Sequence, residues 1–153
     1  MTVLGIRNTS SCIRYAILKK CDTGVIFHNK ETETKMTFPK GINTDIDKLA
    51  WAKAEFDRIL SNQGPFDFVA IKQHENTKTT YSGVKLNAYL DSAVILSAKE
   101  SHFPVETFVN KTLGTNRDAV KTVAESITGK TKKYWDTNIA DAIVAAHHVI
   151  TNA

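Results

Sequence analysis

Phe66-Asp-Phe-Val-Ala-Ile-Lys-Gln-His-Glu75 is the stretch that decides the fold. Residues 66–71 are apolar apart from Asp67. A short, nearly continuous apolar run reads as a central strand covered on both faces, because neither side of it is designed for water. Gly64-Pro65 closes the helix-like segment before it. The run ends at Lys72. A cation is therefore predicted at the tip of a buried strand, where it needs a partner of opposite charge.

Upstream, Val3–Ile6 reads as a short buried strand and Asn8-Thr-Ser-Ser11 as a turn. Cys12–Leu18 is rich in β-branched and aromatic residues and gives a second strand. Cys21-Asp-Thr-Gly24 is a turn, and Val25–Phe38 is expected as a third strand, polar in its middle as an edge strand should be. The period then changes. Leu49, Ala52, Phe56, Ile59 and Leu60 follow helical spacing, with Asp45 or Asp47 as the expected N-cap.

Downstream of Lys72 a polar, threonine-rich loop is expected, then a helix over about Val84–Lys99 and a strand over Pro104–Val109. A short helix follows, capped by Asn116 and stopped by Gly129, and a last helix runs from about Thr137 to Ile150. Hairpin-linked strands followed by strand–helix–strand units imply an α/β protein with a mixed sheet and helices on its faces. No repeat, low-complexity tract or linker interrupts the chain, so one domain over residues 1–153 is expected.

The 153 residues are 42% hydrophobic and 24% charged, the balance of a soluble globular chain. No run approaches the roughly 20 apolar residues of a membrane span, and the opening residues lack a signal-peptide pattern. A cytoplasmic protein with no membrane association is expected. Cys12 and Cys21 are too few for a disulfide framework and fit no metal spacing, so both are read as reduced thiols. Gly129-Lys130-Thr131 is not a phosphate-binding loop, because Ala124 stands where the upstream glycine is required. The net charge of +4 permits contact with polyanions without demanding it. Lys111, Arg117, Lys121, Lys130, Lys132 and Lys133 concentrate before the last helix and are the candidates for contacting nucleic acid; a solvated helix face is the bland alternative.

Four motifs in order carry a resemblance. Val3-Leu-Gly-Ile6, Val69-Ala-Ile-Lys-Gln73, Ser82-Gly-Val-Lys-Leu86 and Asn138-Ile-Ala-Asp-Ala-Ile143 resemble the RuvC family of Holliday-junction resolvases, over nearly the whole chain. The chain also resembles a small bacterial group of RuvC-like proteins with lysine after the isoleucine of the fourth strand. The resemblance implies a ribonuclease H-like fold, with a five-stranded mixed sheet in the order 3-2-1-4-5. It also implies a nuclease site in which carboxylates hold two divalent metals.

Here the four positions where the resemblance implies carboxylates carry Arg7, Lys72, Asn138 and Asp141. Magnesium requires oxygen ligands, mostly carboxylate, and paired metals clamp the attacking and leaving oxygens of the phosphodiester. These four side chains sum to a formal charge of plus one. A unit-charge contact at about 4 Å is worth roughly 4 kcal/mol at an effective dielectric near 20, and a dication doubles the repulsion. No metal or cofactor is therefore expected, and the site reads as a degenerate nuclease cleft. Lys72 or Arg7 is expected to pair with Asp141. Asn138, Asp141, Ala145 and His148 share a helical stripe, which places His148 at the edge of the cleft; the alternative is a residue favoured by the helix C-terminal dipole. Glu75 reads as a loop residue and Asp91 as a solvent-face residue, although either is a possible ligand of a relocated metal site.

Three functions follow as expectations. The first is a catalytically inactive RuvC-like domain that binds branched or double-stranded DNA or RNA, or a protein. The second is a homodimeric interaction module with Tyr81, Tyr89 and Leu86 as candidates, since the helix after the fourth strand contributes to dimer contacts in the resembled family; Leu86 and Tyr89 read equally well as core residues. The third is a nuclease with a relocated metal site.

Overall fold

The computed structural model describes residues 1–75 and 80–153. The threonine-rich loop expected after Glu75 lies partly outside those residues. The strands are β1 (Thr2–Asn8), β2 (Cys12–Cys21), β3 (Gly24–Phe27), β4 (Lys35–Thr37), β5 (Phe68–Lys72) and β6 (Val105–Phe108). The helices are α1 (Asp45–Gln63), α2 (Tyr81–Glu100), α3 (Asn110–Leu113), α4 (Val120–Thr128) and α5 (Thr137–Asn152).

The sheet order is β3-β2-β1-β5-β6, with β4 paired to the start of β2. β1 runs antiparallel to β2 and parallel to β5, and β5 runs parallel to β6. This is the mixed α/β sheet expected, renumbered because the expected third strand is two strands. Its polar middle does not extend along β2. Asn29 folds back into the gap instead: its Oδ1 accepts from Ile17 N at 2.7 Å, and its Nδ2 donates to Tyr15 O at 3.3 Å and Glu33 O at 2.7 Å. A buried carboxamide thus supplies the bonds that strand residues would have made.

Alternation along β1 and β5 separates two cores. Leu4 and Ile6, with Val69 and Ile71, face α1 and α2, where they meet Phe56, Ile59, Leu90 and Val94. Val3 and Ala70 face the opposite layer, packing with Ile139, Ala142, Ile143 and Ala146 of α5. Each wholly buried leucine or isoleucine contributes about 1.5–3 kcal/mol relative to exposure. Gly5 lies on the α5 side, and a Cβ there would collide with the Ala142 carbonyl oxygen. The missing side chain lets α5 lie directly on β1. By the same two-residue period, Arg7 and Lys72 point toward α5 and Asn8 points toward α2.

Helix ends differ from expectation by small, explicable amounts. Thr44, rather than Asp45 or Asp47, caps α1, accepting from Asp47 N, while both aspartates lie in the first turn. α2 starts at Tyr81 because Thr80 caps it through Gly83 N. Asp136 caps α5 through Ile139 N. α3 is too short for the sequence pattern to reveal. Among the described residues no helix is long and apolar enough to cross a membrane.

Candidate functional site

β1 and β5 end side by side, and α5 crosses in front of their carboxyl ends. A cleft of about 460 Å³ opens there. Arg7 and Lys72 enter it from the strands, Asn138 and Asp141 from the first turns of α5, Asn110 from the start of α3, and His74, Glu75 and Arg117 from the loops around them. The four positions singled out in the sequence therefore converge. Ligand sites in parallel sheets commonly lie at this end of the strands.

The two cations divide their partners. Arg7 Nε lies 3.2 Å from Asp141 Oδ2. Its N–H is not aimed at the carboxylate, so the contact is an ion pair rather than a hydrogen bond. Arg7 Nη2 lies 3.3 Å from His74 Nδ1. A guanidinium only donates, so His74 Nδ1 accepts. Burial lowers the His74 pKa, and the neighbouring Arg7 and Lys72 cations lower it further. Lys72 turns instead to Glu75 Oε2 and to Gln73 O, each at 2.6 Å. Glu75 Oε2 also accepts from Asn110 N at 2.8 Å. Burial pushes the Glu75 carboxyl upward, but the bonds from Lys72 and Asn110 outweigh it and its pKa falls. Burial raises the Asp141 pKa, against the pull of Arg7 and then Lys72.

The charge account changes once the loops are in place. The four expected positions sum to plus one, but Glu75 and Asp136 also line the cleft, as does Arg117. The lining therefore carries three cations and three carboxylates. Each carboxylate is engaged: Glu75 by Lys72, Asp141 by Arg7, and Asp136 by Arg14. Arg117 is exposed and makes no ion pair among the described residues. Asn110 Oδ1 and Arg7 Nε are buried polar atoms without a hydrogen-bond partner there.

On the opposite face of β1, Asn8 Nδ2 donates to Asp91 Oδ1 at 2.7 Å. Asp91 is half-buried and not a solvent-face residue. Burial pushes its pKa up to about 6, against the Asn8 bond and the nearby Arg7 and Lys72 charges. Nothing in the spacing of α2 identified this partner, because Asn8 is 83 residues away.

The donor set does not fit two hard cations. Magnesium is held through one or two free carboxylates, with waters and substrate phosphates completing its shell, and here Asp141 and Glu75 are each held by a cation. Among the described residues no group of three or more His, Cys, Asp or Glu side chains is placed to hold a metal. Asn76, Thr77, Lys78 and Thr79, outside the described residues, carry no carboxylate.

The remaining candidates scatter. His148 does not line the cleft; its ring packs edge-on against Phe108 at 5.2 Å, and Asn152 Nδ2 lies 3.3 Å from its Nδ1. Stripe spacing placed it on the same helix face as Asp141, but the seven-residue separation, about two turns and roughly 10 Å of rise, carries it away from the cleft. Arg117 lines the cleft, and Lys111 is exposed on α3 beside Asn110. Lys121 is exposed on α4. Lys130 reaches Glu125 at 3.9 Å and Lys132 reaches Glu31 at 3.3 Å. Lys132 and Lys133 line a second groove with Tyr134. The basic segment is thus divided between two surfaces. Leu86 is core, whereas Tyr81 and Tyr89 are exposed.

No protein-family model matches the chain, and no curated protein sequence does. Solved structures do match. Thermus thermophilus RuvC in complex with a Holliday junction substrate superposes with a TM-score of 0.75 at 14% identity, over 97% of this chain and 92% of that one. The yeast mitochondrial Holliday junction resolvase Ydc2 gives 0.65 at 13% identity, over 95% and 76%. Fowlpox virus resolvase with its substrate Holliday junction DNA gives 0.61 at 14% identity, over 99% and 98%. The chain thus has a RuvC-like, ribonuclease H-like fold, the architecture it shares with these resolvases.

Proposed function

We propose that the protein binds nucleic acid at the cleft between β1, β5 and α5 and does not cut it. The observation that supports the absence of cleavage is the pair of cations, Arg7 and Lys72, at the tips of adjacent parallel strands. The resemblance implies metal-binding carboxylates at both positions. Arg117 adds an exposed guanidinium at the same cleft, with the geometry suited to a phosphate oxygen pair. Two of the similar structures are complexes with Holliday junction DNA, which makes a branched duplex the first substrate to try. Because the cleft carboxylates oppose a polyanion, binding is carried mainly by the outward-facing Arg117 and Lys111, and it weakens steeply with salt.

Fluorescence anisotropy with labelled four-way junction, duplex and single-stranded DNA across a salt series tests the reading. Binding at low salt with no scission in Mg²⁺ or Mn²⁺ is the expected result; no binding to any of them, or metal-dependent scission by the unmodified chain, overturns it. Restoring carboxylates with Arg7→Asp, Lys72→Glu and Asn138→Asp together is expected to create Mn²⁺ binding, read by calorimetry, that the unmodified chain lacks.

A second reading, self-association through α2, is favoured by one observation. Tyr81, Val84, Tyr89 and Leu96 are all exposed on that helix. Sedimentation across the micromolar range decides it: a monomer throughout rejects the dimer.

A further inference from the structure

The second groove, of about 250 Å³, lies between the β3–β4 connection and the segment that leads into α5. The geometry points to a separate binding surface for single-stranded nucleic acid, on which an unstacked base lies against the Tyr134 ring and its flanking phosphates meet Lys35 and Lys133. This rests on the nucleic-acid reading above and extends it to a surface apart from the cleft.

Tyr134 is 57% exposed yet held in a left-handed backbone conformation, with φ of 60°. A bulky residue rarely adopts that conformation without a compensating contact. Here the contact is Arg14. Its guanidinium is wholly buried, donates to the Tyr134 carbonyl oxygen and to Thr34 O, and pairs with Asp136 at 2.6 Å. Asp136 is in turn the cap of α5. The backbone of Tyr134 is therefore pinned from below while its ring is displayed.

The charges around the ring suit a phosphate chain. Lys35 Nζ lies 4.6 Å from the ring centroid, and neither Lys35 nor Lys133 makes an ion pair among the described residues. Both carboxylates that line the groove are engaged, Glu33 by Tyr15 and Arg58 at 2.7 and 2.8 Å and Glu31 by Lys132 at 3.3 Å. An incoming base displaces the flexible Lys35 amine from the ring, and that amine is then free for the phosphate. Aromatic rings among lysines are the common platform for single strands, because every base has a π-face while bases in a duplex are already stacked.

The test uses the full chain and a labelled thymidine oligonucleotide of about a dozen residues, with duplex and four-way junction in parallel. Tyr134→Ala is expected to weaken single-strand binding by about 5- to 100-fold and Tyr134→Phe to leave it unchanged. Both should leave junction binding intact. Lys35→Ala with Lys133→Ala is expected to lower the salt slope for the single strand by about 1.4. Single-strand affinity indifferent to Tyr134→Ala, or weakened equally by Tyr134→Phe, overturns the inference. So does junction binding without single-strand binding, which leaves the cleft reading standing. Absence of all nucleic-acid binding overturns both. A thermal melt of each variant distinguishes lost binding from lost folding.

Discussion

Replacing Arg7 with methionine leaves Asp141 buried at the sheet–helix interface without its ion-pair partner. The separation of 3.2 Å gives a Coulomb attraction of about 5 kcal/mol at an effective dielectric near 20. Desolvation of both groups reduces the net value, and breaking one half of such a pair typically costs about 3–5 kcal/mol. The loss depends on pH with a definite sign. The Asp141 pKa is already raised by burial, so its folded state prefers the proton more than the unfolded chain does. Stability from that group is fully present below the unfolded value and lost as pH rises through the folded one. Removing Arg7 raises the folded value further, so the deficit of Arg7→Met is largest near neutral pH and shrinks on acidification. Urea denaturation of the unmodified chain, Arg7→Met, Asp141→Asn and the double variant, near neutral pH and at about pH 5, measures this as a double-mutant cycle. The expected coupling near neutrality is about 2–4 kcal/mol. A coupling below about 0.5 kcal/mol, or a deficit that does not change with pH, would show that the pair does not hold this cleft together.

Asp91→Asn is expected to stabilise the fold near neutral pH by up to about 3 kcal/mol, the equivalent of moving a carboxyl from 3.8 to about 6. The gain should vanish below about pH 4, since the carboxyl is then neutral in both states; a constant gain across a pH series of chemical melts would refute the assignment. Gly5→Ala should lower stability by about 1–3 kcal/mol or more, because the added Cβ meets the backbone of α5; a thermal melt unchanged from the parent would contradict the close approach of β1 and α5. Arg117→Ala is expected to reduce the salt slope of junction binding by about one with little effect on folding, and an unchanged slope would place the phosphate contacts elsewhere.

Much of the fold was legible in the chain. The apolar run of Phe66–Ile71, the helical spacing of Leu49 to Leu60 and the punctuation by Gly64-Pro65 and Gly129 are local signals, and local signals survive in one dimension. The third strand was misread because its interruption depends on Asn29 reaching the backbone of a different strand. A polar residue in a predicted strand gives no sign that its side chain will replace the ladder.

The sequence by itself determined that cations occupy the tips of two buried strands, since residue identity and strand period set both what Arg7 and Lys72 are and which face they share. It determined equally that Asn138 and Asp141 lie on one turn-to-turn stripe of the last helix. Only the tertiary structure decided which charges meet. Lys72 took Glu75 rather than Asp141, Arg7 took Asp141 and His74, and Asp91 turned inward to Asn8. Ion pairing depends on distances of a few ångströms between groups that the chain separates by up to 134 residues, and no local pattern encodes such a distance.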